Sequence, residues 1–126
     1  MDGSPGLTRQ QLLDAAFDGS RAIARVHVSR VELAPGRPTG LHRHPCDVIG
    51  YVVTGRIWFQ PAGRSETLLT AGDAFHEPAL ATITRFDNAS DTEPAAFVAC
   101  YLLPEGEDGL IEMLGPTGST SLPMDA

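Results

Sequence analysis

Residues 36–55 read GRPTGLHRHPCDVIGYVVTG and hold the most informative pattern of the chain. It places His42 and His44 two positions apart, just ahead of an apolar run that ends at Gly55. Residues i and i+2 of an extended chain point to the same face, so the two imidazoles are expected to lie side by side. Such a pair is suited to one metal ion or to the anionic group of one substrate.

Along the rest of the chain, Gly and Pro are spaced as is typical of an all-β protein. Thirteen Gly and ten Pro divide the 126 residues into short segments, and these recur about every ten residues, the spacing of a sandwich or barrel. In the first segment the apolar phase changes between Val28 and Val31, which predicts a bulge near Ser29 and Arg30. The predicted strands are 21–33, 48–54, 56–60, 66–69, 74–77, 81–86 and 96–103.

The two ends of the chain are less regular. Residues 8–17 have helix-like apolar spacing, but an edge strand explains them equally well. Residues 110–114 are apolar without a clear period, and 115–126 are rich in Gly, Pro, Ser and Thr, which predicts poor order. The predicted division is an N-terminal arm at 1–20, one barrel domain at 21–105 and a partly disordered C-terminal extension at 106–126.

Composition excludes several classes of partner. Sixteen acidic residues against nine basic ones give a net charge of -7, which repels phosphate backbones and anionic lipid, so neither nucleic acid nor membrane is expected. The first residues lack the pattern of a signal peptide, and two cysteines, Cys46 and Cys100, do not make a disulfide framework. We expect a cytoplasmic protein whose partner is a small molecule. Motifs for phosphate, dinucleotide or serine-hydrolase chemistry do not occur.

Residues 36–55 resemble the first motif of the cupin superfamily. That motif is a Gly, five residues, His-x-His, three or four residues, a Glu, six residues and a Gly. Gly36, His42, His44 and Gly55 match four of its five fixed positions. The Gly that opens the second motif and the Pro six residues later are matched by Gly72 and Pro78. The similarity covers roughly residues 20–105.

This resemblance implies an antiparallel double-stranded β-helix, the jelly-roll barrel of small single-domain bacterial cupins. It also implies a homodimer, in which the residues before Arg21 swap strands or cover a sheet edge.

The chain departs from the family at the ligand positions. The family's third ligand, a glutamate, falls on Val48, and its fourth, a histidine, falls near Ile83. The usual Pro-x-Gly reads Pro78-Ala79-Leu80. Only two of the four usual ligands remain, whereas catalytic metal sites use about three protein ligands.

Other residues are candidates to complete the set. His76 is the first, because its strand lies where the family places pocket residues. Asp47 is a weaker candidate, since strict alternation from Val48 turns it to the opposite face. Cys46 is also weaker, because a cysteine is most often a small buried apolar residue. His27 faces inward only if no bulge interrupts its strand.

Charged and aromatic strand residues are assigned by their usual environments. Arg43, Glu77 and Arg85 are expected to be exposed to solvent. The strand aromatics are predicted to form the core: Tyr51, Trp58, Phe59, Phe75, Phe86, Phe97 and Tyr101. The predicted metal ligands are His42, His44 and His76, and the predicted pocket residues are Val48, Tyr51, Phe75, Ile83 and His27.

Two functions remain open. The first is a metal-assisted enzyme, similar to a dioxygenase or isomerase, with a weak or incomplete site for Fe, Ni, Mn or Zn. The second is a metal-free binding or sensing protein, in which the histidines bond a carboxylate or phenol within an apolar pocket. Neither the catalytic residue nor the substrate can be named at this stage.

Overall fold

The computed structural model describes residues 6–19 and 22–114, and every strand within these ranges pairs antiparallel. One sheet has the strand order β1-β8-β3-β6 and the other the order β5-β4-β7-β2-β9. The all-β prediction is confirmed. The strands are β1 Arg25–Leu33, β2 His42–Arg43, β3 Asp47–Thr54, β4 Arg56–Pro61, β5 Thr67–Thr70, β6 Ala74–Glu77, β7 Ile83–Asn88, β8 Ala95–Leu103 and β9 Glu112–Met113.

The two sheets enclose one apolar core. Phenylalanines from both sheets meet there, with ring centroids 5.0 to 6.0 Å apart. Of the predicted core aromatics, five are buried: Phe59, Phe75, Phe86, Phe97 and Tyr101. Trp58 is half-buried beneath the guanidinium of Arg85. Tyr51 is 42% exposed on the outer face of β3, so the prediction that it belongs to the core is wrong.

The predicted bulge in the first strand is also wrong. The pairing of β1 with β8 runs without interruption from Arg25 opposite Leu103 to Leu33 opposite Ala95. The change of apolar phase has another cause. Val26 and Val28 are apolar but face the solvent, 54% and 59% exposed. The continuous register turns the half-buried side chain of His27 to the inner side of the strand. Register irregularities occur instead in β3 and β4.

The N-terminal segment differs from both the helix and the edge strand considered for residues 8–17. Residues 7–17 form neither helix nor strand. Leu13, Ala15 and Phe17 are half-buried in alternation, with a period of two that a helix does not have. Within 110–114 lies the short strand β9, which pairs with β2. The predicted disorder of 115–126 concerns residues outside the described part of the chain.

No helix in the described ranges has the length and apolar character needed to cross a bilayer.

Candidate metal centre

His42 and His44 project into the same cavity between the two sheets. His42 lies on β2 of the second sheet, and His44 lies in the short link between β2 and β3. Both side chains are almost fully buried, and their ring centroids are 5.2 Å apart with the planes nearly perpendicular. The cavity they line measures only about 20 Å³. The chain therefore presents two imidazoles to one small enclosed space.

Backbone carbonyls fix the orientation of both rings. Nδ1 of His42 lies 2.9 Å from the oxygen of Gly40, and Nδ1 of His44 lies 2.6 Å from the oxygen of Leu110. A carbonyl oxygen only accepts, so each Nδ1 carries the hydrogen and donates it. When a ring is neutral, the lone pair of its Nε2 points into the cavity, which is how metal-binding histidines are held.

Glu77, at the end of β6, supplies a third donor to the cavity. Its Oε1 lies 2.7 Å from Nε2 of His44 and 3.6 Å from Nε2 of His42. The expectation that Glu77 is exposed is wrong, because the residue is only 3% exposed. The physical reason is the alternation of β6, which turns Phe75 and Glu77 to the core and their neighbours outward.

The carboxylate of Glu77 lies directly across the sheet from the position at which the family resemblance expects a glutamate. Val48, where the family resemblance expects a glutamate, is the cross-strand partner of Glu77 in the pairing of β3 with β6. Directly opposite residues share a face, with Cβ atoms about 4.5 to 5.5 Å apart. A carboxylate at position 77 therefore reaches the cavity that one at position 48 would reach.

The buried charges depend strongly on one another. Burial on its own raises the pKa of Glu77, but the contacts with His42 and His44 outweigh it and lower the pKa to about 2. Burial likewise acts to lower the pKa of His44, but the close contact with the negatively charged Glu77 outweighs it and raises this pKa. At neutral pH Glu77 is thus a carboxylate held against two imidazoles.

This donor set fits a divalent transition metal. One ligand atom from each of the three side chains lies within 4.8 Å of the other two. Although Oε1 of Glu77 is close to His44, it accepts no well-aligned hydrogen bond from the described residues. Lone pairs crowded in this way in a buried space are stabilised by a cation. Two imidazoles and one carboxylate form the facial set of non-haem Fe(II) sites and the His2Glu set of catalytic zinc, and both leave positions open.

The remaining wall of the cavity is mostly apolar. Val48, Phe86 and Phe97 contribute to it, and Ile111 closes it from the C-terminal segment. Tyr101 adds a phenol, and its pKa is raised by burial and by the charge of Glu77, so it keeps its proton. The walls therefore exclude bulk water and offer one hydrogen-bond donor.

His76, the third predicted metal ligand, lies on the other side of the sheet. It precedes Glu77 on β6 and so points outward, where its Nε2 lies 2.9 Å from Oδ1 of Asp47. Asp47 is buried on that same face, as strict alternation from Val48 predicts. Within the described residues neither side chain belongs to the cluster around His42 and His44.

The predicted pocket residues are dispersed. Val48 lines the cavity, while Ile83 is buried opposite His42 in the ladder between β2 and β7. Phe75 belongs to the aromatic core, and Tyr51 points outward. Nε2 of the fifth, His27, lies 2.9 Å from Oγ of Ser29, and its ring packs edge-on against Tyr101. Cys46 is fully buried.

Sequence reasoning missed two contributors to the site. Glu77 could have been found, because Phe75 and Glu77 share the face of a four-residue strand whose aromatic residue belongs inside. The carbonyl of Leu110 could not have been found, since every residue has a backbone carbonyl and the residue type does not show which one accepts.

Comparisons with known proteins agree with this architecture. A family model described as a cupin domain matches residues 29–101. A cupin-like protein from Thermotoga maritima is 26% identical with a TM-score of 0.58, over 71% of this chain and 65% of that one. Oxalate oxidase in complex with the substrate analogue glycolate is 26% identical with a TM-score of 0.61, over 78% of this chain and 52% of that one.

A third solved structure, a predicted oxalate decarboxylase from Thermotoga maritima, is 27% identical with a TM-score of 0.52, over 60% of this chain and 64% of that one. The chain thus spans less than two thirds of the length of each of these three proteins. No curated protein sequence matches it significantly. The matched domain, the antiparallel sheets and the shared fold together show that the chain belongs to the cupin family, with the jelly-roll barrel that its first motif implied.

Proposed function

We propose that this cupin is a metal-dependent enzyme whose centre is formed by His42, His44 and Glu77. The observation that carries the proposal is the convergence of two oriented Nε2 atoms on one buried, poorly bonded carboxylate oxygen. Glu77 takes the place that the sequence had assigned to His76. Three protein ligands with open positions are typical of catalytic rather than structural metal sites.

A metal bound here would supply Lewis-acid or oxygen-activating chemistry to a small organic substrate. Among Fe, Ni, Mn and Zn, the two-histidine, one-carboxylate set favours Fe(II) or Zn. The residues of the chain do the rest. The carbonyls of Gly40 and Leu110 hold the rings, the apolar walls exclude water, and Tyr101 keeps its phenolic hydrogen and can donate a hydrogen bond.

The substrate class proposed is a small carboxylic acid. Oxalate oxidase and the predicted oxalate decarboxylase, both above 25% identity, support it. A cavity of about 20 Å³ holds roughly one water molecule. Any such acid therefore requires part of the cavity wall to move before it can reach the ligands.

Elemental analysis of protein purified without an affinity tag tests this proposal. We expect about one equivalent of a single transition metal, either as purified or after loading with Fe(II) or Zn(II). The Glu77→Gln variant should lose most of it, because an amide is a poor ligand for such ions. Glu32→Gln, which alters an exposed carboxylate on β1, is the matched control. Wild-type protein that takes up none of the four metals contradicts the proposal.

A metal-free binding protein is the second candidate function. The specific observation in its favour is the 2.7 Å contact between His44 and Glu77, which lets a protonated imidazole neutralise the carboxylate without a metal. Thermal unfolding with and without chelator separates the two. A ligand that binds only the native state raises its stability in proportion to RT ln(1 + [L]/Kd), so a chelator should lower Tm only if a metal is bound.

Assembly as a homodimer in the cytoplasm is part of the same proposal. Val26 and Val28 present exposed apolar surface on the outer face of β1, and Tyr51 does so on β3. Apolar side chains exposed on one face of a sheet are candidates for an interface. Sedimentation equilibrium should give twice the monomer mass, and a monomer at all concentrations would count against the dimer.

A further inference from the structure

A second carboxylate, on the opposite face of the sheet, connects β3 to the strand that carries Glu77. Asp47 opens β3 and is 5% exposed. Its Oδ1 accepts two hydrogen bonds, one from Nε2 of His76 at 2.9 Å and one from the backbone N–H of Ala79 at 3.1 Å. One oxygen of β3 thus holds both the end of β6 and the turn that follows it.

The two donors flank Glu77 in the sequence. His76 immediately precedes it, and Ala79 is the first residue after it with a backbone N–H to offer, because Pro78 has none. The following residue, Leu80, donates its N–H to the carbonyl of His44 at 2.8 Å. The segment that carries one candidate ligand is therefore tied to the segment that carries another.

Glu77 needs such support because of where it stands. It is the last residue of a four-residue strand, and β6 lies at the edge of its sheet, paired with β3 alone. Short edge strands have few backbone hydrogen bonds and open easily at their ends. A metal ligand at this position requires an additional contact to stay within a few tenths of an ångström of its place.

We propose that Asp47 is a positioning residue, which fixes the carboxylate of Glu77 against the two imidazoles by bonding the chain on both sides of it. The inference rests on the proposed metal centre and deepens it. Asp47 acts through its geometry as an acceptor, so an asparagine with the same oxygen should replace it.

Asp73, which is exposed, provides a control of the same residue type at the other end of β6. Its Oδ2 also accepts two hydrogen bonds, from the backbone N–H of Thr70 at 2.8 Å and from the hydroxyl of Thr70 at 3.2 Å. It is the same residue type with the same number of bonds next to the same strand. Its turn, however, is remote from Glu77.

The test compares Asp47→Ala, Asp47→Asn and Asp73→Ala with the wild type by two readouts. The first is titration with Co(II), followed by its visible absorption spectrum. The second is the distance from Oε1 of Glu77 to Nε2 of His44 in metal-free crystals. Asp47→Ala should weaken Co(II) binding about 10- to 100-fold, the usual effect of losing a group that orients a ligand. In its crystals Glu77 should leave the 2.7 Å contact.

Asp47→Asn and Asp73→Ala should both stay within about threefold of the wild type, with the contact intact. If Asp47→Ala does not fold, Asp47→Ser takes its place, because its shorter side chain cannot reach both donors. Equal losses in Asp47→Ala and Asp47→Asn, or in Asp73→Ala, would overturn the inference. An Asp47→Ala variant that behaves like the wild type would do the same.

A wild type that binds no Co(II) would instead contradict the metal centre. In that case the distance from Oε1 of Glu77 to Nε2 of His44 in crystals of the alanine and asparagine variants decides, by itself, whether Asp47 positions Glu77.

Discussion

At the scale of single residues, two neighbouring strands each present one side chain, Val48 or Glu77, at the place where the candidate centre has its carboxylate. Val48 and Glu77 face each other across the ladder between β3 and β6, and both side chains are buried at the cavity. His42 and His44 are held by carbonyls that neither position touches. The donor set should therefore tolerate an exchange of the two residues.

The exchange gives a direct prediction. Glu77→Val should weaken Zn(II) binding by about a hundredfold or more, since a ligand costs at least what an orienting group does. Adding Val48→Glu to it should restore binding to within about tenfold, because the two side chains start from neighbouring points of one face. Competition titrations with a coloured chelator measure both. A double variant no better than Glu77→Val would show that the cavity accepts a carboxylate from β6 alone.

The stability of the metal-free protein should depend on pH through the same pair. Glu77 has a lowered pKa, so its contribution is present above the ordinary value of 4.5 and is lost as the pH falls towards 2. His44 has a raised pKa, so its contribution is present below 6.5 and is lost as the pH rises through the raised value. Urea unfolding should therefore show a maximum between pH 4.5 and 6.5 that Glu77→Gln removes. A Glu77→Gln variant with the wild-type pH profile would contradict this coupling.

Leu80 stands in a backbone conformation that suits glycine. Its φ is 65°, and its side chain is 55% exposed. The left-handed region costs an ordinary residue about 1–2 kcal/mol, which glycine avoids while losing more entropy on folding. Leu80→Gly should raise the free energy of unfolding by roughly 0.5–1 kcal/mol. Chemical denaturation measures it, and a loss of stability would mean that the leucine makes a contact worth more than the strain.

At the scale of elements, the strands that the sequence predicts are those long enough to carry an alternating pattern. The bounds of β6 agree with the predicted segment, and β8 differs by one residue. By contrast, β2 and β9 have two residues each and owe their pairing to the rest of the barrel, so no local pattern reveals them. The outward valines of β1 show a further limit of prediction from the sequence. Apolar residues on the solvent side give the same pattern as a bulge in the strand.

The packing of β3 against β6 depends on one glycine. A Cβ added to Gly50 would overlap the ring of Phe75, its cross-strand partner. Gly50→Ala should therefore destabilise the protein by about 1–3 kcal/mol, the usual cost of overpacking a core. Phe75→Leu should recover part of that loss when combined with it, as double-mutant unfolding experiments would show. Additive losses in the double variant would mean that the contact is not the cause.

At the scale of the whole molecule, the centre joins the two sheets of the barrel. His42 belongs to the sheet that contains β2, and Glu77 belongs to the sheet that contains β6. The fold and the histidine pair could be predicted because both follow from spacing along the chain. The third donor depends on which strand lies opposite β3, and that is a property of the assembled barrel rather than of any segment.

We propose that His42, His44 and Glu77 together bind one metal ion. A crystal structure of the protein loaded with Zn(II), with data collected at the zinc absorption edge, tests it most directly. We expect one anomalous peak about 2.0–2.2 Å from Nε2 of each histidine and from a carboxylate oxygen of Glu77. A peak at His76 and Asp47 instead, or no peak between the sheets at full loading, would contradict the claim.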